Sequence, residues 1–266
     1  MMSRWHPLWQ LFLVRMREYC REPAVLFWTY GFPLFLTVGL GIAFSGGRPD
    51  APQLGTEQVH DDLANEPGHR YIDFLIPGLM GLNVMAGALW GVGFVIVDMR
   101  VRKLLKRLRA TPMRRSDFLL AVLGSRVVFL VPEILVLALV GCVGYGMPVR
   151  GSVATLAVVI LAGSAAFAGL GLLLACRTEK TETVSGLINL LVMPMWMLCG
   201  TFFNSRRFPD FVQPLIDVLP LTQLNDALRG VVLDGASLGQ VGLPVLILAG
   251  WGAVSFALAL WWFRWQ

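Results

Sequence analysis

The chain has 266 residues, of which 56% are hydrophobic and 15% charged. Soluble domains carry about 25% charged residues, so this composition excludes an ordinary soluble enzyme or regulator. The net charge of +5 does not point to nucleic acid, because the basic residues are sorted by loop side and no aromatic stacking partners are interleaved among them.

Six continuous apolar runs occupy residues 24–44, 74–97, 118–146, 153–176, 183–204 and 241–263. A hydrocarbon layer about 30 Å thick needs about 20 apolar helical residues to cross it, and each run reaches that length. Transmembrane strands would alternate apolar and polar positions instead. The predicted fold is therefore all-α, a polytopic membrane protein of six transmembrane helices. The intervals 45–73 and 205–240 are too short to bury cores of their own, so residues 1–266 read as a single membrane domain.

Cytoplasmic loops retain Lys and Arg during insertion. With the N-terminus inside, 15 of the 22 Lys and Arg residues fall on the inner side and six on the outer, with Arg126 inside a span. This predicts a multi-pass protein of the plasma membrane with both termini cytoplasmic.

Residues 1–23 carry Trp5, Trp9, Phe12 and Met16 at helical spacing, with Gln10, Arg17 and Arg21 on another face. That pattern predicts an interfacial helix lying on inner-leaflet lipid, which Pro23 ends before the first span. It is not a signal peptide, because the apolar run that follows is too long for a signal-peptide core. The acidic, Gly- and Pro-bearing stretch from Ser45 to Tyr71 reads as an external loop.

The second span contains Gly87-x-x-x-Gly91, and the fourth has Ala162, Ala165, Ala166 and Gly169 at similar steps. Small residues at that spacing let helix backbones approach closely within lipid. Between the second and third spans, residues 98–117 form a cytoplasmic loop. In it Val101, Leu104, Leu105 and Leu108 recur at helical spacing among Arg100, Arg102, Lys103, Lys106, Arg107 and Arg109, an amphipathic pattern that should end near Pro112. Alone, such a helix would also suit an anionic lipid surface.

In the third span, Arg126 and Glu133 share a helix face at a depth where an unpaired charge costs several kcal/mol. Two roles are open. Arg126 snorkels to the inner surface while Glu133 pairs with a neighbouring helix, or their face lines a transport path. After the fifth span, residues 205–240 form an external helical segment. Phe211, Leu215, Val218 and Leu219 share one face and Leu224, Leu228 and Val232 another, with Pro220 between them. Two short helices, the first starting near Pro214, can dip into the outer leaflet only if protein covers them.

Several chemistries lack their residues. There is no Gly-Lys dipeptide, hence no G-x-x-x-x-G-K-[ST] loop to cradle phosphate, and no H-E-x-x-H. The G-x-S-x-G at Gly235 to Gly239 has no preceding strand to form a nucleophile elbow. Cys20, Cys142, Cys176 and Cys199 form no C-x-x-C pair, and His6, His60 and His69 show no metal-ligand spacing. No catalytic or metal site is predicted.

The order of features resembles the type-2 permeases of ATP-binding cassette (ABC) exporters, the ABC-2 type. The resemblance rests on Arg21-Glu22-Pro23, Tyr71-Ile72-Asp73-Phe74-Leu75-Ile76-Pro77-Gly78 and Leu105-Lys106-Arg107-Leu108-Arg109-Ala110-Thr111-Pro112. It continues with Pro194, Leu198 to Phe203, Phe208-Pro209, Leu219-Pro220-Leu221-Thr222 and Ala227-Leu228-Arg229-Gly230. It implies a transport subunit that is not itself an enzyme, paired with a second permease as a homodimer and with separate ATPase subunits that bind the ATP and Mg.

On that reading Arg100, Arg102, Lys103, Lys106, Arg107, Arg109, Thr111, Arg114 and Arg115 form the coupling surface to the ATPase. A path for an amphiphilic drug, antibiotic, lipid or glycan would run between facing permeases along the second and fifth spans, with Asn83, Asn189, Met193, Met197 and Glu133 as candidate lining residues. The competing class, an ion-gradient-driven secondary transporter, would show inverted repeats and several buried carboxylates, and only Glu133 qualifies here.

Overall fold

A computed structural model describes residues 9, 12–14, 16–17, 21, 23–45, 71–104, 115–202, 205 and 208–262. Every regular element among these residues is helical. Helix α1 covers 23–45, with a π-helical turn at Phe27–Gly31. Helix α2 covers 71–101 with a π segment at Leu89–Phe94, and α3 covers 115–144, its last turn again π at Val140–Gly144. Then follow α4 Val153–Ala175, α5 Thr181–Leu198, α6 Gln213–Val218, α7 Pro220–Val232 and α8 Gly242–Trp262.

Five of these helices are long and apolar enough to cross a bilayer: Asp73–Val101, Ala121–Gly144, Val153–Ala175, Thr181–Leu198 and Gly242–Trp262. They match the second to sixth predicted spans. The first predicted span is helical throughout, but its apolar stretch, Phe27–Leu40, is shorter. Of the predicted interfacial helix, the described positions between Trp9 and Arg21 are helical, with the Trp9 and Phe12 rings stacked 5.4 Å apart. The external loop 46–70 lies outside the described residues.

Helix α2 is the centre of the bundle. Leu75, Ile76, Leu79, Val84, Met85, Ala88, Leu89 and Ile96 are completely buried, in contact with α1, α3, α4 and α7. Lipid provides no water-exclusion drive between helices, so this packing depends on close approach and dispersion contacts. Glycine makes the approach possible: a Cβ on Gly93 would meet the Gly171 carbonyl oxygen of α4 at 2.8 Å. The small residues of α4 serve α8 in the same way, with Gly169 set against Gly252 and Ser255.

The two short helices around Pro220 form as the sequence predicts. Leu219 is extended (ψ 134°), and Pro220 opens α7 at a position where its missing N–H breaks no helical bond. Helix α7 is deeply inserted. Leu221, Leu224, Asn225 and Leu228 are completely buried among α2, α4 and α8. The Leu224 side chain occupies the space that a Cβ on Gly163 would take. Helix α6 lies against α8, where Trp251 Nε1 donates to the Val218 carbonyl at 2.9 Å.

Candidate functional site

Three polar clusters are arranged along α2. The deepest joins α2 to α3. Arg126 and Glu133 stand two turns apart on one face of α3, and their side chains meet end to end. Nη1 donates to Oε1 and Nη2 to Oε2, each at 2.6 Å, and the residues are only 5% and 1% exposed. Paired donors and acceptors at these distances make a fork-to-fork ion pair, the strongest geometry available to these groups. Arg126 Nη2 also reaches the Asn83 carbonyl at 3.5 Å.

The guanidinium rests in a notch on α2. A Cβ on Gly87 would come within 1.5 Å of Arg126 Nη2, and one on Gly91 within 3.2 Å of Cδ. The G-x-x-x-G spacing therefore receives an arginine, where helix-to-helix backbone contact would be the ordinary reading. On the opposite face of α3, Val128, Val131, Leu135 and Leu139 are exposed, as a lipid-facing stripe requires.

A second cluster ties the start of α2 to α7 and to the turn after α5. Gly200, at φ +67°, lets the chain leave α5 in a left-handed turn. The guanidinium of Arg229 donates to the Gly200 carbonyl and, at 3.4 Å, to that of Phe74, with its Cζ 3.6 Å from the Phe74 ring centroid. Asn225 Nδ2 donates to the Cys199 carbonyl at 3.0 Å and to Thr201 Oγ1 at 3.2 Å. Gly78 and Gly81 make room on α2 for these groups.

The third cluster lies at the other end of α2. Arg100 Nη1 donates to the carbonyls of Ala175 at 2.8 Å and Thr178 at 2.6 Å, and Nη2 to that of Cys176 at 3.5 Å. These carbonyls belong to the end of α4 and the turn beyond it, where a helix leaves acceptors unsatisfied and a cation is favoured. Of the expected coupling residues, Arg102 and Lys103 are exposed just past α2, Arg102 paired to Asp98 at 2.9 Å. Arg115 opens α3. Lys106, Arg107, Arg109, Thr111 and Arg114 lie outside the described residues.

The expected path residues separate into two groups. Asn83 and Glu133 are brought together through Arg126 in the interior of the bundle, and Asn83 Nδ2 donates to the Thr29 carbonyl of α1 at 3.4 Å. Asn189, Met193 and Met197 share an exposed face of α5 with Glu182 and Gly186. Among the spans, α5 is the least buried, and its mean hydropathy of 1.2 is the lowest. Among the described residues no group of His, Cys, Asp or Glu could hold a metal ion.

The family model for ABC-2 type transporter membrane proteins matches residues 7–233, from the N-terminal helical positions through α7. The chain belongs to the ABC-2 type transporter family. It is 28% identical over 197 residues to ABC transporter G family member 20 of Dictyostelium discoideum, a match covering 73% of this chain and 27% of that relative's length. This ABC-2 family protein is thus a multi-pass membrane protein.

Arg229 and Asn225 were not singled out as site residues from sequence. A signal exists in Asp226 three residues before Arg229 on an amphipathic helix, but most of their partners are backbone carbonyls, those of Phe74, Cys199 and Gly200, which no side-chain pattern reveals.

Proposed function

We propose that this chain is the permease of an ABC exporter, working as a pair of facing copies driven by separate ATPase subunits that bind ATP and Mg. The observation that carries the reading is the exposed face of α5. Gly186 and Asn189 lie exposed in a span, with none of the described residues covering them, while Leu190, Met193 and Met197 are 71%, 55% and 69% exposed. An amide facing hydrocarbon without a partner is unfavourable by several kcal/mol, so a second permease surface or a hydrated cavity belongs there. A few polar groups among pliable methionines suit an amphiphilic cargo such as a drug, antibiotic, lipid or glycan.

Helix α1 is the first of six spans in this reading, and both termini face the cytoplasm of a cell membrane, the side on which basic residues are retained. The ATPase engages the part of the basic segment 98–117 that lies beyond Arg100. Reversing charge at Arg107 and Arg109 to glutamate is expected to lower transport per ATP hydrolysed about tenfold or more, the scale of an ordinary coupling free energy, with insertion intact. Co-reconstituted ATPase and permease, assayed for hydrolysis and cargo flux together, measure this. Unchanged flux in the variant removes the assignment.

A further inference from the structure

Resting on the exporter reading, we infer that Arg100 is a positioning residue inside the permease: a clasp that makes the inner end of α2 and the start of α5 move together. Helix α2 ends in a tight turn in which Arg102 N donates to the Asp98 carbonyl at 2.9 Å, Lys103 N donates to that of Arg100 at 3.0 Å, and Lys103 takes φ +58°. That left-handed residue turns the backbone sharply at the end of α2, three residues past Arg100.

The Arg100 guanidinium spans the carbonyls of Ala175, Cys176 and Thr178. The segment it holds is otherwise braced to its surroundings. Thr178 Oγ1 donates to the Leu174 carbonyl at 2.6 Å, Cys176 Sγ approaches the Ala259 carbonyl of α8 at 3.3 Å, and the Arg177 guanidinium sits 5.3 Å from the Trp262 ring centroid. Three residues beyond Thr178, α5 begins at Thr181 and runs on as the span with the exposed Asn189 face.

A displacement of the basic segment must therefore pull or push on the α4–α5 turn, and through it on α5. The clasp needs a planar fork. An arginine can reach three carbonyls at once with fixed donors, whereas the ammonium of lysine is a single point charge on a flexible stem.

The test is co-reconstitution of wild type, R100K and R100A with the ATPase, measuring hydrolysis and flux on the same vesicles. The clasp predicts ATP turnover near wild type with flux per ATP reduced about tenfold in R100A and by a smaller factor in R100K. Hydrolysis and flux falling in proportion in R100A would mark a merely structural cap and overturn the inference. Wild-type flux per ATP in R100K overturns it as well, whether or not R100A assembles. If the Arg107 and Arg109 reversal uncouples transport while the Arg100 variants behave as wild type, the clasp fails and the exporter reading stands. If none of these variants changes flux per ATP, that reading fails with it.

Discussion

Replacing Glu133 with alanine is expected to destabilise the protein by about 3–5 kcal/mol, the usual consequence of removing one partner from a buried ion pair. The Arg126 guanidinium is enclosed in the Gly87–Gly91 notch at 5% exposure. The Asn83 carbonyl at 3.5 Å cannot replace a bidentate carboxylate. Removing both charges together tells a different story. In R126M/E133L the buried charges are gone, and stability should return to within about 1–2 kcal/mol of wild type or exceed it. Denaturation in detergent or bicelles gives the coupling energy from the double-mutant cycle. A Glu133→Ala variant as stable as wild type would mean that the two groups are not paired in the membrane.

Filling the notch from the other side is expected to do comparable damage. In G87A the new methyl would fall 1.5 Å from Nη2 and 2.1 Å from Cζ of Arg126. A flexible arginine could normally swing away. Here the swing pulls both nitrogens off the Glu133 oxygens, so a loss of about 3 kcal/mol is expected, at the large end for a single substitution. Gly124 on α3 is the matched control. No atom lies within 4 Å of its would-be Cβ, so G124A should be neutral or slightly stabilising, by up to about 1 kcal/mol, because alanine loses less backbone entropy in a helix. Equal stability of G87A and G124A would remove the notch from the account.

Much of this architecture is legible from residue order because lipid imposes simple demands. Continuous apolar length locates the spans, and prolines locate the ends of α6 and α7 to within a few residues. Helix α1 shows the limit of that rule, since helix and apolar stretch do not coincide there: 23–45 is helical while only Phe27–Leu40 qualifies by hydropathy. The polar clusters are less legible. The spacing of Arg126 and Glu133 places them on one face, but whether each seeks a neighbouring helix or the other depends on rotamers and on the space at Gly87. Arg100 belongs by composition to the basic loop, yet it bonds to backbone carbonyls 75 and 78 residues away. Backbone acceptors carry no side-chain signature, which is why Arg100, Arg229 and Asn225 gain their roles only in three dimensions.

The clusters also suggest how the bundle divides. Helices α2, α4, α7 and α8 are held to one another by glycine contacts and by Arg229, Asn225 and Cys176. Helix α5 is fastened at its two ends, by Arg100 through the turn before Thr181 and by Asn225 and Arg229 through the turn after Leu198. Between those points one face is exposed, the face the proposed second permease would cover. A helix fixed at the ends and open along one side is suited to a gate that a driven neighbour can tilt.

The most direct test of the proposed dependence on a separate ATPase is flux in lipid vesicles holding the purified chain alone, then with the co-reconstituted ATPase and Mg-ATP. The account predicts no cargo movement from the chain alone under any imposed proton or sodium gradient, and flux that appears only when ATP is hydrolysed. Gradient-driven flux through the isolated chain would contradict it.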